Sequence, residues 1–498
     1  MNQQIQKFVI VGGGTAGWMA AAALSNYLKG RNVTIVLVES TDIGTVGVGE
    51  ATIPSIQSFH LLLGINEKDF MRETQATFKL GIEFEDWYQL KNSFFHPFGS
   101  YGMSLNGIDF HHWWLKAKEL GNQHPLGDYS LPSVMAKHGV FAQPLEAPST
   151  SLLAYRYAYH FDAGLYATFL KKYASNLGVI HEIGNVTNAK LNNDNGFIDS
   201  LILDDGREIS GEFFIDCSGF RSLLINGALN IGFEDWGHWL PCNRAIAIQS
   251  QKKILSKPYT KSKALDAGWR WRIPLQNRVG NGYVYCNNYI SEDEATSTLS
   301  NELEAESITD PKVLKFSAGM RKKFWSKNCI ALGLASGFLE PLESTSISLI
   351  QTGIARLLLL FPEKDCSSSL SDEANRLSKM EYESIRDFII LHYKASQRSD
   401  TEFWRDVSSK SIPSTLQHKI DVFKETGYHV RYEQDFFQNE NWLSMYAGFN
   451  IWSKNYDYRI NKTSNHEIKN TLNVIREKLH VGASVALQHD DFLKKYIS

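Results

Sequence analysis

The chain has 498 residues, of which 43% are hydrophobic and 21% charged, so it is long and apolar enough to bury a large core. Its formal net charge of -3 gives no electrostatic reason to expect nucleic acid or an anionic membrane as a partner. The five cysteines are scattered and never spaced as CxxC, which argues against a structural zinc site or a disulfide scaffold and fits a reducing compartment. We therefore expect a cytoplasmic globular protein.

The hydrophobic pattern predicts an α/β body followed by a helical segment. The chain begins with a predicted strand, an alanine-rich helix and a second strand, at residues 7–11, 15–28 and 32–38. Further apolar runs predict strands at 198–203, 212–215, 244–249, 269–273, 282–287 and 329–332. From about residue 371 the composition turns charged and helix-forming, as in 372–393 and 467–479. We predict an α/β domain at 1–360 and a mainly helical, substrate-binding module at 361–498.

Several other segments are predicted to have structural roles. The apolar stretch at 347–361 is too short to span a bilayer, so we predict a buried helix there. The basic stretch 251–263 and the acidic stretch 292–306 are typical of solvated loops. The adjacent His111 and His112 point in different directions on either a strand or a helix, so we do not expect them to share a metal.

A glycine-rich turn lies between the first predicted strand and the first predicted helix. Its GxGxxG spacing places glycines at Gly12, Gly14 and Gly17. The first permits a tight turn, the second lets the backbone approach a pyrophosphate, and the third lets the helix pack closely on the strand. The helix that starts at Thr15 and Ala16 offers free N–H groups and the positive end of its dipole to phosphates.

An acidic residue, Glu39, ends the second predicted strand, about 20 residues after the glycine-rich turn. This is the expected place for a carboxylate that binds a ribose hydroxyl. The turn and Glu39 together predict a dinucleotide site, and they leave NAD and FAD both open.

Two later segments favour FAD because they resemble flavoproteins. Residues 214–219 resemble the strand and DxSG segment of the flavin monooxygenase-like fold. Residues 329–335 resemble the late strand and turn of that fold, which lie near the ribityl chain. This resemblance implies that Gly333 and Leu334 contact the cofactor. Leu334 stands where an aspartate is usual. The resemblance implies an α/β, FAD-binding, flavin monooxygenase-like fold.

A more specific resemblance rests on the run GWRWRIP at 268–274, a complete GWxWxIP. Together with GxGxxG, it is similar to the signature of flavin-dependent halogenases of the tryptophan halogenase family. Other segments resemble the family in the same order, at 46–54, 76–82, 338–347, 392–394 and 401–405. The resemblance implies an enzyme that halogenates an indole-like or other electron-rich aromatic substrate.

The same resemblance implies the chemistry and the residues that carry it. A separate NAD(P)H flavin reductase supplies FADH2, which reacts with O2 to a flavin hydroperoxide. Chloride or bromide then gives hypohalous acid, which Lys79 holds or converts to a haloamine. Glu343 is the implied general base, and Thr345 and Ser346 are the implied halide site. The segment 46–54, with Ala51, is the implied flavin cover.

Substrate residues are implied less completely. His96, Pro97 and Phe98 resemble the substrate-side loop of the family. In the C-terminal region Phe436 and Asn441 match the pattern of the free-tryptophan halogenases, whereas Phe437 replaces a tryptophan, and the paired tyrosines of that pattern do not stand at the expected distance. We therefore expect a substrate other than free tryptophan, whether free, carrier-bound or peptidic.

Two alternatives stay open from the sequence. One is an FAD-dependent aromatic hydroxylase of the same fold, and the other is a flavin-binding protein without catalytic turnover. The sequence also leaves open a homodimer, the preferred halide, the natural substrate and the regiochemistry.

Overall fold

The structure is a computed structural model that describes residues 3–40, 49–148 and 150–498. The chain divides into two compact units, each built from three segments. The first unit comprises Met1–Ala76, Phe161–Asn243 and Leu314–Glu383, and the second comprises Thr77–His160, Arg244–Val313 and Ser384–Ser498. The predicted functional division into 1–360 and 361–498 follows composition along the chain and stays a prediction.

The helices of the described residues are numbered in chain order. They are α1 (Thr15–Tyr27), α2 (Ser55–Leu63), α3 (Glu67–Glu73), α4 (Phe110–Glu119), α5 (Leu131–His138), α6 (Ala163–Asn176), α7 (Glu292–Asn301), α8 (Ser346–Leu359), α9 (Ser368–Lys394), α10 (Glu402–Ser409), α11 (Ser414–Thr426), α12 (Asn439–Gly448), α13 (Asn465–Ser484) and α14 (His489–Ile497).

The strands are numbered in the same way. They are β1 (Lys7–Val11), β2 (Thr34–Glu39), β3 (Gly49–Ala51), β4 (Thr77–Lys79), β5 (Gly81–Glu85), β6 (Ser93–Pro97), β7 (Val140–Phe141), β8 (Ala158–Asp162), β9 (Ile180–Ile183), β10 (Val186–Leu191), β11 (Ile198–Leu203), β12 (Glu208–Ser210), β13 (Phe213–Asp216), β14 (Phe233–Asp235), β15 (Arg244–Gln251), β16 (Thr260–Leu265), β17 (Gly268–Pro274), β18 (Arg278–Tyr285), β19 (Lys312–Lys315), β20 (Gly319–Arg321), β21 (Trp325–Ser326), β22 (Cys329–Ala331), β23 (Gly337–Phe338) and β24 (Leu487–Gln488).

The first unit is organised around a sheet of order β21-β22-β13-β1-β2-β9. Strand β1 pairs in parallel with both β2 and β13, and β13 pairs in parallel with β22. Val9, Ile10 and Phe214 in this sheet are fully buried. Continuous apolar runs of this kind are typical of parallel strands that are covered on both faces. The predicted β-α-β start and the α/β fold class are confirmed.

Asp216, the last residue of β13, joins this sheet to the π-helix Leu223–Ala228. Its Oδ1 accepts hydrogen bonds from the N–H (3.0 Å) and the hydroxyl (2.6 Å) of Ser218. Its Oδ2 accepts from the N–H groups of Leu224 (2.8 Å) and Ile225 (2.9 Å). The carboxylate is fully buried, so these donors replace its hydration.

The second unit contains a sheet in which β15, β18, β17, β16, β5 and β6 are neighbours in that order. All seven residues of β17, the GWxWxIP strand, are buried. The ring of Trp271 lies over Gly282 of β18, where a Cβ would come within 1.9 Å of a ring atom. A glycine at this position is therefore needed to make room for the tryptophan.

The prediction of solvated loops at 251–263 and 292–306 is wrong for most of 292–306 and for the last four residues of 251–263, whereas residues 252–259 form a loop as predicted. Residues Thr260–Leu265 form β16, and Glu292–Asn301 form α7. The helix starts with a capping box between Ser291 and Glu294. Lys263 of β16 donates to Glu302 just after α7 (2.9 and 3.0 Å), so opposite charges pair across the two stretches.

Other predicted helices are found. Helix α8 covers most of the predicted helix at 347–361. From Glu402 to Ile497 the described elements are helices α10 to α14, a short 3-10 helix and the two-residue strand β24, which confirms the helical composition of this region. None of the helices in the described residues is both long and apolar enough to cross a bilayer.

We expect Asp216→Ala to lower the free energy of unfolding by about 3–5 kcal/mol, because it leaves the buried N–H groups of Leu224 and Ile225 without an acceptor. Urea denaturation measures the change. The control is Asp204→Ala, since Asp204 is exposed and pairs with Asn185 at the surface. Equal midpoints for the two variants would contradict the role given to Asp216.

Candidate active site

Two glycines of the glycine-rich turn are required by close backbone contacts in the first unit. Gly12 has φ +115°, and a Cβ there would lie 2.2 Å from the carbonyl oxygen of Cys217. A Cβ on Gly17 would lie 1.8 Å from the carbonyl oxygen of Gly12. These contacts agree with the predicted tight turn and with the close packing of α1 on β1.

Gly14 has a different environment, because its outer side is open. A Cβ on Gly14 would meet no heavy atom of the described residues within 4 Å. Gly14 is the N-cap of α1, and the first turn of that helix, which starts with Thr15 and Ala16, has no side-chain cap in the described structure. An open space beside uncapped N–H groups fits a pyrophosphate.

Glu39 lies against the same turn. A Cβ on Gly13 would come within 2.1 Å of its Cδ, so the carboxylate is directly beside the glycines. Its Oε2 is 2.7 Å from Nε2 of His181, which lies on the neighbouring strand β9. The carboxylate is held at the place predicted for a ribose ligand. His181 could not be predicted from the sequence, because a histidine on a short, half-exposed strand carries no local signal.

The turn at Gly333, which was predicted to lie near the cofactor, also contacts the start of α1. Gly333 has φ +63°, and a Cβ there would lie 2.8 Å from Cβ of Ala16. The next residue, Leu334, is 38% exposed and leaves an apolar surface beside the glycine-rich turn. Ala51 is buried at the end of β3, whereas residues 46–48 of the predicted flavin cover lie outside the described residues.

The predicted halide segment forms a sharp turn into α8. Residues Pro341–Glu343 form a 3-10 turn, Ser344 has φ +59°, and Thr345 is the N-cap of the helix that starts at Ser346. Glu343 is 1% exposed. Thr345 is fully buried, and its hydroxyl finds no hydrogen-bond partner among the described residues. An orphaned buried donor beside a helix start fits an anion.

In the second unit, Lys79 is the last residue of β4 and is 0% exposed. Its Nζ lies 5.3 Å from the ring centroid of Phe98, within the range of a cation–π interaction. Strand β4 pairs with β8, and the Thr77 hydroxyl donates to the carbonyl oxygen of Pro274 at the end of the GWxWxIP strand (2.7 Å). The structure therefore places one predicted substrate residue directly beside the predicted catalytic lysine.

The remaining predicted substrate residues form a second group in this unit. His96 Nε2 is 2.9 Å from the side-chain amide nitrogen of Asn441, at the start of α12. The ring of Phe437 stacks on Phe388 at 3.8 Å and meets Phe436 edge-on at 5.0 Å. Pro97 lies opposite Gly81 across the β5–β6 pair. His96, Phe437 and Asn441 are thus brought together from distant parts of the chain.

An ion pair that was not predicted from the sequence supports this group. Lys419 Nζ donates to Asp435 Oδ2 at 2.6 Å, and both side chains are almost completely buried. Ser384 donates to Oδ1 of the same carboxylate and accepts from the N–H of Phe436. Lys419 comes from a charged helix whose sequence is typical of a solvated face, so only the tertiary contact identifies it.

The chain is similar to known proteins over most of its length. The family model described as tryptophan halogenase matches residues 7–465. Tryptophan 6-halogenase SttH from Streptomyces toxytricini is 36% identical over 442 residues, which cover 84% of each chain.

Two solved structures have similar folds over nearly the whole chain. BrvH, a flavin-dependent halogenase from Brevundimonas sp. BAL3, superposes with a TM-score of 0.97 at 43% identity, over 99% of this chain and 100% of that chain. Xcc4156, a flavin-dependent halogenase from Xanthomonas campestris, superposes with a TM-score of 0.95 at 44% identity, over 99% of this chain and 98% of that chain. The chain belongs to the tryptophan halogenase family, and it is a flavin-dependent halogenase.

Proposed function

We propose that the enzyme uses FADH2 from a separate NAD(P)H flavin reductase, O2, and chloride or bromide to halogenate an indole-like or larger electron-rich aromatic substrate. The observation that carries this proposal is the fully buried Lys79 beside the aromatic ring of Phe98. A lysine is rarely fully buried, and an adjacent aromatic wall suits a flat substrate. When bound, reduced flavin supplies hypohalous acid from O2 and halide.

Residues of the first unit are proposed to hold the cofactor and the halide. The open space at Gly14 and the uncapped start of α1 support a pyrophosphate there, and Glu39 supports a ribose contact. Gly333 and Leu334 are proposed to contact the flavin, and Ala51 belongs to the segment 46–54 that is proposed to cover it. The orphaned hydroxyl of Thr345 and the helix start at Ser346 support the halide position.

Lys79 is proposed to present the oxidant to the aromatic ring. Its amine holds hypohalous acid by a hydrogen bond, or exchanges a hydrogen for the halogen to give a haloamine and water. The ring carbon then takes the halogen. The electron pair of the broken O–X or N–X bond stays on the oxygen or the nitrogen. In both cases the net change is ArH + HOX → ArX + H2O.

Glu343 is proposed to accept the proton that the ring loses, as a general base. Its carboxylate is almost completely buried, in a turn fixed by Pro341 and by the left-handed conformation of Ser344. Such a fixed carboxylate needs little rearrangement to take a proton during the reaction.

The described contacts around Asn441 support a substrate other than free tryptophan. Its amide nitrogen is directed at His96, and its Oδ1 accepts the N–H of Gln438 at 2.8 Å. Phe437 is covered by Phe388. These groups are engaged with one another, so they are poorly placed to bind the ammonium and carboxylate groups of an amino acid.

We expect Lys79→Ala to abolish halogenation, because no amine remains to present the oxidant. Mass spectrometry of indole incubated with enzyme, FAD, flavin reductase, NADH, O2 and bromide should show one added bromine for the parent protein and none for the variant. FAD binding should persist. Lys137→Ala, at an exposed lysine, is the control. A Lys79→Ala protein that still brominates would exclude the proposed role, and an oxygenated product made without halide would favour a hydroxylase.

We expect Glu343→Gln to slow halogenation by about 10²–10⁴-fold, because the amide cannot accept the ring proton. Single-turnover formation of halogenated product measures this rate, while flavin oxidation in the same sample should proceed normally. An unchanged halogenation rate would show that Glu343 is not the base.

Free tryptophan should bind with a dissociation constant above about 1 mM, corresponding to less than about 4 kcal/mol of binding free energy. Isothermal titration calorimetry of the FAD-loaded enzyme measures this, with a tryptophan 6-halogenase as the positive control. Micromolar binding of tryptophan would contradict the substrate proposal.

A further inference from the structure

The C-terminal helix α14 packs on the strand that carries Lys79. The ring of Phe78 stacks on Phe141 of β7 with centroids 4.1 Å apart. Phe492 and Tyr496 of α14 meet the same ring edge-on at 5.6 and 5.7 Å. The residue immediately before the proposed catalytic lysine is therefore enclosed by rings from the C-terminal end of the chain.

His489, the first residue of α14, adds a polar contact to this packing. The N–H of Phe78 donates to its Nε2 at 3.2 Å, and its Nδ1 donates to the carbonyl oxygen of Ser256 at 2.9 Å. Only the neutral imidazole with its proton on Nδ1 makes both bonds, because one nitrogen must accept while the other donates. The side chain is 1% exposed, so water does not substitute for either partner.

The backbone on the other side of Lys79 is bonded to residues 256–258, which include Ser256, the partner of His489. The N–H of Leu80 donates to the carbonyl oxygen of Pro258 at 2.7 Å. Two residues earlier, the N–H of Ser256 donates to Oδ2 of Asp490 at 3.0 Å. Both neighbours of Lys79 are thus fixed by residues 256–258, one directly and one through His489.

Burial keeps His489 in the form that these bonds need. Burial is the main reason that the pKa of His489 falls from 6.5 to about 4; the bond to Ser256 and the charge of Asp490 oppose the shift, and the charge of Lys252 adds a smaller lowering effect. The buried His160 also faces this imidazole. Because the pKa in the folded state lies well below 7, His489 is neutral at neutral pH and can accept the N–H of Phe78.

We propose that His489 is a positioning residue for Lys79, which fixes the backbone of β4 so that the lysine amine meets both oxidant and substrate. This inference rests on the proposed function of Lys79. His489 lies beyond residue 465, where the match to the family model ends. A displacement of the amine by about 1 Å would lower transfer of the halogen by about 100-fold while leaving formation of the oxidant unaffected.

Two substitutions separate the two hydrogen bonds of His489. In His489→Gln the amide reaches the position of Nε2, so its oxygen can accept the N–H of Phe78. In His489→Asn the amide reaches only the position of Nδ1, so it can donate to Ser256 but leaves the N–H of Phe78 without its acceptor. Two quantities are measured. One is the amount of halogenated product formed per FADH2 oxidised, and the other is the amount of hypohalous acid that a diffusible trap captures.

We expect His489→Asn to lower product per FADH2 by about 10–100-fold and to raise the captured hypohalous acid, with an unchanged rate of FADH2 oxidation. His489→Gln should restore most of the product. His138→Asn, at an exposed histidine, is the control and should behave like the parent protein.

Thermal unfolding of both variants and the Lys79→Ala protein complete the test. A His489→Asn protein that forms as much product per FADH2 as the parent protein overturns the inference. If His489→Asn and His489→Gln lose product and Tm equally, His489 has a merely structural role and the inference is also overturned. If Lys79→Ala still halogenates, the proposed function itself fails. If Lys79→Ala is inactive and His489→Asn is normal, only the positioning role fails.

Discussion

The burial of the Lys79 amine is the constraint on which the rest of the second unit depends. Removing an amine from water is unfavourable unless the surrounding structure fixes it and offers it partners. Here the lysine ends a short strand beside the ring of Phe98, and the strand is bonded to the end of the GWxWxIP strand through Thr77. A three-residue strand has little stability of its own, so its position is set by what packs on it.

The first unit meets a different constraint, which is close approach of backbones. Gly12 and Gly17 permit contacts that any Cβ would prevent, and Gly14 leaves an open space beside the helix start. Asp216 then fixes the neighbouring strand to the helix that follows it, through hydrogen bonds to buried backbone donors. The glycine-rich turn of the first unit therefore depends on close backbone contacts, whereas the position of Lys79 in the second unit depends on side-chain packing.

The C-terminal segment contacts both the predicted substrate residues and the strand of Lys79. Helix α12 contributes Asn441 to the group around His96, and α14 contributes His489 to the strand of Lys79. The buried pair of Lys419 and Asp435 orders the loop that presents the aromatic side chains. Two helices of the C-terminal region thus contact residues near the two ends of the segment 77–98.

The sequence by itself determined the motifs and therefore the family: GxGxxG with Glu39, the GWxWxIP run, and the segments around Lys79 and Glu343. It also determined the α/β start, because parallel buried strands carry continuous apolar runs. It misassigned most of 292–306 and the end of 251–263 as loops, since pairing of Lys263 with Glu302 joins stretches whose charges look solvated when each is taken alone. Only the tertiary structure decided that His181 holds Glu39, that Asn441 is engaged with His96, and that His489 supports Phe78. The physical reason is that these contacts join residues between 142 and 411 positions apart, a separation over which local propensity and periodicity carry no information.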